Sequence, residues 1–240
     1  MENTIYPILS SKDVLIITDM QKDFLPGGAL PIKEGDLLLP VINEYIRIFK
    51  STKAKIIASR DWHPPNHMSF IQHGGPWSPH CVQGSEGAQF HPGLQLPDDV
   101  FVVSKATNPK REAYSVFDDT GLNEKLKVWG ITRVFICGVA TDYCIVNSTL
   151  DARKLGFDVV VLSDGTRGLD VKPGDVDEAF QTMADVGAMQ AMLTDFPEPE
   201  VVPDALVEDV ADKPLVEYDV KKKARMRPRG SYKQVRRERG

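Results

Sequence analysis

The chain has 240 residues, of which 42% are hydrophobic and 26% charged, so it is long enough for one substantial core and short for two. It has no run of the roughly 20 apolar residues that a membrane span needs, no basic-then-apolar start typical of a signal peptide, and three cysteines, which argue against a disulfide framework. The net charge of −5 argues against a general affinity for nucleic acid, and we expect a cytoplasmic protein without membrane contact.

Short apolar runs alternate with segments of helical periodicity along most of the chain. This alternation is typical of an α/β domain with a largely parallel sheet. The apolar runs are rich in β-branched residues and are continuous, as expected of strands that are covered on both faces. They predict five strands, at residues 14–18, 56–58, 100–103, 134–137 and 159–162.

Four helices are predicted from the remaining periodic segments. The first has apolar residues at helical spacing over 38–49, after a capping residue at Asp36. The second runs from residue 120 towards Gly130, and the third runs from residue 142 to Gly156. The fourth begins at Asp175, whose capping box is completed by a glutamate three residues later, and ends at Gly187. Each of these glycines can take the left-handed conformation that ends a helix.

Two segments do not fit this alternation. Residues 62–96 are rich in Pro, Gly and His without a regular period, and so long a loop inside a domain is uncommon unless it serves function. Residues 221–240 contain ten Lys or Arg and one Glu, a charge of +9, which leaves −14 on the first 220 residues. We therefore predict one domain over 1–198 and a charged, disordered tail over 199–240. A solvated tail is favoured over one that contacts RNA or an anionic surface.

Four reactive side chains follow four different predicted strands. Asp19 follows the first strand, Asp61 the second, Lys105 the third and Cys144 the fourth. Since the carboxyl ends of parallel strands meet at one rim, where open α/β sheets bind ligands, these residues predict a single site. Three of them also have a structural explanation. Asp19 could be a turn residue, Lys105 could extend its ammonium into solvent, and Cys144 could be a small core residue.

Cys144 is expected in the first turn of the third helix. Exposed backbone N–H groups and the helix dipole would lower the pKa of its thiol there and could receive an oxyanion. Cys137, inside a predicted strand, and Cys81, in the loop, are expected to be structural.

The histidines indicate a metal site. All five lie between residues 63 and 91, and His63, His67 and His80 follow closely after Asp61. Two imidazoles and a carboxylate suit zinc, iron or manganese, with coordination positions left open for water or substrate. The alternative is that histidines in a Gly/Pro-rich loop are simply solvated.

Five long motifs then point to a known family. They are DMQKDFLPGGAL at 19–30, SRDWHPPNH at 59–67, GPWSPHCVQGSEGAQFHP at 75–92, SKATNPKREAYSVF at 104–117 and CGVATDYCIVNSTLDARKLGF at 137–157. In order and spacing they resemble the nicotinamidases of the isochorismatase-like cysteine hydrolase superfamily, over roughly residues 13 to 193. The resemblance implies a three-layer, doubly wound, Rossmann-like α/β fold. It also implies hydrolysis of nicotinamide to nicotinate and ammonia through a cysteine thioester, a step of NAD salvage.

The same resemblance assigns roles to particular residues. It implies a cis peptide bond between Val139 and Ala140, and one divalent metal ion that anchors the pyridine nitrogen, with zinc favoured over iron or manganese. It also implies a homo-oligomer, as relatives often assemble. The implied residues are a triad of Asp19, Lys105 and Cys144, an oxyanion hole from the N–H groups of Ala140 and Cys144, substrate contacts from Phe24, Trp77, Val139 and Ala140, and metal ligands Asp61, His63 and His80, with His67 as a candidate fourth.

Other functions on the same fold are disfavoured. Isochorismatases lack the nucleophilic cysteine and the Asp/His set, whereas carbamoyl hydrolases keep the cysteine but usually lack the metal ligands. Turnover of pyrazinamide or related aromatic amides stays open. A non-catalytic binding protein is the alternative from another functional class, and the full set of reactive side chains argues against it.

Overall fold

A computed structural model, which describes residues 8–197, shows a single six-stranded sheet with helices on both faces. The strand order is β3-β2-β1-β4-β5-β6, and every neighbouring pair is parallel. The predicted doubly wound α/β class is therefore confirmed. The strands are β1 (Asp13–Thr18), β2 (Lys55–Asp61), β3 (Phe101–Lys105), β4 (Arg133–Val139), β5 (Asp158–Arg167) and β6 (Met189–Ala191).

Helices and short helical turns connect these strands. A π-helical turn, Thr141–Ile145, runs directly into the third helix. Among the described residues, no helix combines the length and the apolar character needed to span a membrane. The helices are α1 (Leu38–Lys50), α2 (Leu122–Val128), α3 (Val146–Lys154) and α4 (Asp175–Asp185), and the 3-10 turns are Lys22–Phe24, Gly35–Leu37, Ile71–His73 and Leu193–Asp195.

The central strand β1 shows how the sheet divides the core into two layers. All six of its residues are buried, and successive side chains point to opposite faces. Leu15 and Ile17 pack in the cluster that contains α1, whereas Val14 and Ile16 pack in the cluster that contains α2, α3 and α4. A continuous apolar strand is therefore what this position in the fold requires.

The order of the strands determines where a ligand can bind. From β1 the chain moves outward through β2 to β3, then crosses back and moves the other way through β4, β5 and β6. Because crossover connections are right-handed, the two directions place their helices on opposite faces and leave a crevice between β1 and β4. Residues that follow these strands, among them Asp19 and Cys144, lie at that crevice.

All five predicted strands are present, and each is longer than predicted, most of all β2, β4 and β5. Strand β6 was not predicted, because it has only three residues, two of them exposed. The predicted helix-ending glycines are confirmed, because Gly130, Gly156 and Gly187 have φ of 70°, 92° and 78°. The predicted boundary between the domain and the tail lies outside the described residues and stays a prediction.

Both predicted caps are wrong. Asp36 lies inside the turn Gly35–Leu37, which continues into α1, so backbone carbonyls satisfy the first N–H groups and no side-chain cap is formed. At α4 the carboxylate of Asp175 turns back to accept the N–H of Lys172 at 2.9 Å. The N–H of Gly174 is bound instead by Asp170, at 3.0 Å.

Gly138 in β4 provides a test of the contact between β1 and β4. It has a φ of +109°, and a Cβ atom there would collide with the backbone of Thr18, which pairs with it. We expect Gly138→Ala to lower the free energy of unfolding in urea by about 3 kcal/mol or more.

Gly130→Ala is the matched control, since Gly130 has a φ of +70° and no atom beyond its chain neighbours lies within 4 Å of the position that a Cβ would take. It should cost only the left-handed penalty of about 1–2 kcal/mol. Equal losses for the two variants would contradict the close approach of β4 to β1.

Candidate active site

The structure brings the four predicted reactive residues together at the carboxyl ends of the strands. Asp61 and Lys105 end β2 and β3 and are paired in the register of these strands. Asp19 directly follows β1 with a left-handed φ of 54°, and Cys144 lies in the π-helical turn after β4. One ligand atom each from Asp19, Asp61 and Cys144 lies within 4.8 Å of the others.

The ammonium of Lys105 connects these groups. It lies 2.9 Å from Oδ2 of Asp19 and 3.3 Å from Sγ of Cys144, and it donates to Oδ1 of Asp61. The side chain is buried, so the alternative in which it reaches solvent is wrong. Burial alone would lower the pKa of Lys105, but the charges of Asp19 and Asp61 raise it well above its ordinary value. The group is therefore a fixed positive charge.

The two carboxylates beside Lys105 differ in their affinity for a proton. Burial raises the pKa of Asp19 above its ordinary value, although the charge of Lys105 opposes the rise. Burial would also raise the pKa of Asp61, but Lys105, His63 and His80 bring it below its ordinary value. Asp19 is consequently the stronger base of the two.

The thiol of Cys144 is buried between these charges. Burial raises its pKa well above the ordinary value, Lys105 opposes the rise, and Asp19 and Asp61 add to it. The prediction that the start of the helix lowers this pKa is therefore wrong, because burial beside two carboxylates outweighs the helix. The thiol is neutral near pH 7 and needs a base to become a nucleophile.

The predicted metal ligands form a compact set. Asp61, His63 and His80 each offer one ligand atom within 4.8 Å of the others. Nδ1 of His63 lies 3.1 Å from the carbonyl of His80, and Nδ1 of His80 lies 2.7 Å from the carbonyl of Ser78. A ring nitrogen that faces a carbonyl carries the proton, which leaves Nε2 of each ring free to bind a metal.

The protonation state of His63 also suits a metal ligand. Burial lowers its pKa to about 4, so the ring is neutral near pH 7. Neutral imidazole is the form that binds a metal. This donor set therefore fits a zinc-type ion with coordination positions left open.

His67, the candidate fourth ligand, is placed differently. It lies beside His63, with ring centroids 4.5 Å apart, and one ligand atom each from His63, His67 and Glu112 also falls within 4.8 Å. Its two ring nitrogens, however, already have partners, the hydroxyl of Ser69 at 2.7 Å and the carbonyl of Arg111 at 3.0 Å. Because both of its ring nitrogens have partners, His67 is better placed to pack against His63 than to bind the ion.

A cavity of about 360 Å³, including its open mouth, connects the thiol with the metal ligands. The predicted substrate residues Phe24, Trp77 and Ala140 line it. Val139 is wholly buried and is not among the residues that line it, so its substrate contact stays a prediction. The lining comprises Phe24, Leu30, Asp61, His63, Trp77, His80, Glu112, Tyr114, Ala140, Tyr143, Cys144 and Leu169.

Aromatic contacts fix the shape of this cavity. The indole N–H of Trp77 donates to the hydroxyl of Tyr114 at 3.1 Å, and the Trp77 ring packs edge-on against Tyr143 with centroids 5.2 Å apart. Phe24 packs on His80, with centroids 5.4 Å apart. The peptide bond between Val139 and Ala140 is cis, as the resemblance implied.

Sequence reasoning missed several residues of the site. Tyr114 and Tyr143 lie inside the family motifs, but an isolated tyrosine does not by itself indicate a binding site. Leu169 follows β5 and lies outside the motifs. Gln21 was missed as well. Its amide donates to the carbonyls of Asp61 at 2.8 Å and Ala88 at 2.9 Å and accepts the N–H of Asp61 at 2.8 Å. It thereby ties β2 to the long loop.

Comparisons with known proteins agree with this geometry. A family model described as the isochorismatase domain matches residues 13–195. The nicotinamidase of Escherichia coli (strain K12) is 40% identical over 205 residues, which is 77% of this chain and 96% of that protein. The structure of the pyrazinamidase of Pyrococcus horikoshii in complex with zinc is 50% identical, with a TM-score of 0.72, and covers 75% of this chain and 99% of its own. A protein from L. infantum in complex with nicotinate is 42% identical, with a TM-score of 0.73 and coverages of 79% and 97%.

Lys105→Met tests the charge balance of the site. Without the ammonium, Asp19 and Asp61 would be buried without the positive charge that they share, and we expect a loss of about 3–5 kcal/mol of unfolding free energy near neutral pH. The pKa values of these carboxyls in the folded variant would then lie above those of the unfolded chain. The folded variant would bind more protons than the unfolded one, so its stability should fall as pH rises.

Urea unfolding at about pH 5 and pH 8 measures this effect, and the deficit of Lys105→Met relative to the parent should be larger at the higher pH. Lys110→Met, at an exposed lysine of the following loop, is the control and should leave stability unchanged at both values. A deficit that does not depend on pH would show that the ammonium is not what allows the two carboxylates to be buried.

Proposed function

The chain belongs to the isochorismatase family, and from this premise we propose that it is a nicotinamidase, which hydrolyses nicotinamide to nicotinate and ammonia. One observation carries the proposal. Cys144 lines the same small cavity as Asp61, His63 and His80, so a nucleophile and a set of metal-ligand candidates would face the same substrate molecule. The nicotinamidase relative and the similar structure in complex with nicotinate support this substrate.

In the first half of the reaction, Asp19 accepts the proton of the Cys144 thiol, because its raised pKa makes it a suitable base. Lys105, 3.3 Å from the sulfur, stabilises the thiolate that forms. The thiolate attacks the carboxamide carbon, and the N–H groups of Ala140 and Cys144 bind the oxygen that becomes negative. Asp19 returns the proton to the nitrogen, ammonia leaves, and a thioester with Cys144 remains.

In the second half, a water molecule attacks the thioester carbonyl while Asp19 takes its proton. The carbon–sulfur bond breaks, nicotinate is released, and the proton restores the thiol of Cys144. One water is consumed and one ammonia and one acid are formed, so the cycle balances. Lys105 keeps its charge throughout, since its pKa is raised well above the ordinary value.

A bound divalent ion, with zinc favoured over iron or manganese, would anchor the pyridine nitrogen and so supply geometry rather than Lewis acidity. The residues that would hold this ion are Asp61, His63 and His80. Phe24 and Trp77 line the cavity near these ligands, where they would hold the flat ring. The similar pyrazinamidase structure in complex with zinc supports the choice of metal, and its name supports pyrazinamide as a second substrate.

Cys144→Ala tests the nucleophile. The variant should release no ammonia from nicotinamide above background while it still binds nicotinate, because the cavity and the metal ligands are unchanged. Cys137→Ala is the matched control, since Cys137 is buried in β4 within the core and should leave kcat within about twofold.

Hydroxylamine provides a second measurement on the parent enzyme. It should trap the thioester as the hydroxamate of nicotinate, detected by mass spectrometry, and no hydroxamate should form with Cys144→Ala. Ammonia release by Cys144→Ala at more than a small fraction of the parental rate would remove the cysteine from the mechanism.

His80→Ala tests the metal set. Loss of one of three protein ligands should lower the bound zinc, measured by elemental analysis after dialysis, to a small fraction of one ion per chain and should weaken nicotinate binding at least tenfold. His73→Ala is the control, because His73 lies in the same loop but is exposed. Full zinc occupancy in His80→Ala would place the ion elsewhere.

A further inference from the structure

Ser59 makes two contacts with the proposed base. It lies in β2, is wholly buried, and faces the end of β1. Its hydroxyl donates to Oδ1 of Asp19 at 2.7 Å, and its carbonyl accepts the backbone N–H of Asp19 at 3.1 Å. One residue of the neighbouring strand therefore holds both the backbone and the carboxylate of Asp19.

This contact divides the two carboxylate oxygens of Asp19 between different partners. Oδ1 is bound by Ser59, whereas Oδ2 lies 2.9 Å from the ammonium of Lys105. The same ammonium lies 3.3 Å from the sulfur of Cys144, so Oδ2 is the oxygen on the side of the thiol. The final torsion of an aspartate side chain is soft, and a hydrogen bond to one oxygen is what determines where the other one points.

We propose that Ser59 is a positioning residue of the reaction, whose hydroxyl holds Oδ1 of Asp19 so that Oδ2 receives the thiol proton. The inference rests on the proposed function. Ser59 does not line the cavity and acts only through Asp19. Without its hydroxyl, the carboxylate would be free to rotate about its last torsion, and fewer encounters would have the geometry for proton transfer.

The neighbouring strand offers a matched control. Ser104 lies in β3 and is only partly buried, and its hydroxyl accepts a hydrogen bond from Nε of Arg60 at 2.9 Å. Removal of this hydroxyl also deletes one hydrogen bond between side chains of the sheet, but it leaves the contacts of Asp19 unchanged. Ser104→Ala thus shows what the loss of a serine hydroxyl costs when no catalytic group is involved.

The experiment compares Ser59→Ala, Ser59→Thr and Ser104→Ala by ammonia release and by the rate at which iodoacetamide alkylates Cys144, identified by peptide mass spectrometry. For Ser59→Ala we expect kcat and the alkylation rate to fall about tenfold, with KM for nicotinamide within about twofold of the parent. Ser59→Thr keeps a hydroxyl and should recover most of both rates. Ser104→Ala should match the parent.

A double-mutant cycle with Asp19→Asn separates positioning from a general structural effect. Alkylation is the measurement here, because it does not require turnover. Ser59→Ala should slow alkylation in the parent but change it less than about twofold when Asp19 is already Asn. An equal slowing in both backgrounds would overturn the proposal, as would parental kcat in Ser59→Ala.

Two further results keep the test decisive. If Ser59→Ala does not fold, Ser59→Cys takes its place, because a thiol is similar in size but a weaker donor, and it should show a smaller loss in the same direction. If Asp19→Asn itself keeps parental kcat, Asp19 is not the base, and the proposed mechanism fails along with the inference. If the parent releases no ammonia from nicotinamide, the proposed function itself fails. If Asp19→Asn is slow but Ser59→Ala keeps parental kcat, the inference is contradicted while the proposed function stands.

Discussion

The ammonium of Lys105 is the group on which the rest of the site depends. Two buried carboxylates and a buried thiol converge on it, and none of them has another fixed positive charge as close among the described residues. Burial is the main reason why the pKa values of both Asp19 and Cys144 are raised, while the charge of Lys105 opposes the rise and that of Asp61 adds to it. Ionisation of the thiol is therefore coupled to transfer of its proton to a neighbouring base.

The parallel sheet provides the precision that this arrangement needs. Asp61 and Lys105 are partners in the register between β2 and β3, so their side chains meet without any contribution from a loop. Asp19 and Cys144 follow β1 and β4, the pair at which the strand order reverses. The long loop supplies Trp77 and the metal-ligand candidates His63 and His80. It is joined to the end of β2 by Gln21, whose side-chain amide donates to the carbonyl of Asp61 and to that of Ala88 inside the loop.

The sequence predicts those features that depend on local patterns. Continuous β-branched runs predict the strands, and the reactive residues that follow these runs predict a site at the carboxyl ends of the strands. Both predictions follow from short-range geometry. Features decided by tertiary contacts were missed or wrong. The thiol of Cys144 has a raised pKa, because distant segments bury it beside two carboxylates. The wrong cap at α4 has a local cause, since the carboxylate of Asp175 accepts the N–H of Lys172, three residues away, and not an N–H of the helix. Leu169 reaches the cavity from a loop that carries no motif.

The two carboxylates that share Lys105 show how one charge can support two kinds of chemistry. Both are buried, so burial alone would raise both pKa values. Asp61 also faces His63 and His80, and these rings together with Lys105 bring its pKa below the ordinary value, as suits a group that stays ionised to bind a metal ion. Asp19 contacts Ser59 and Lys105 and lies beside the thiol of Cys144, and burial keeps its pKa raised, so it can take up and return a proton. The division of labour under the proposed function therefore follows from which strand end each carboxylate occupies.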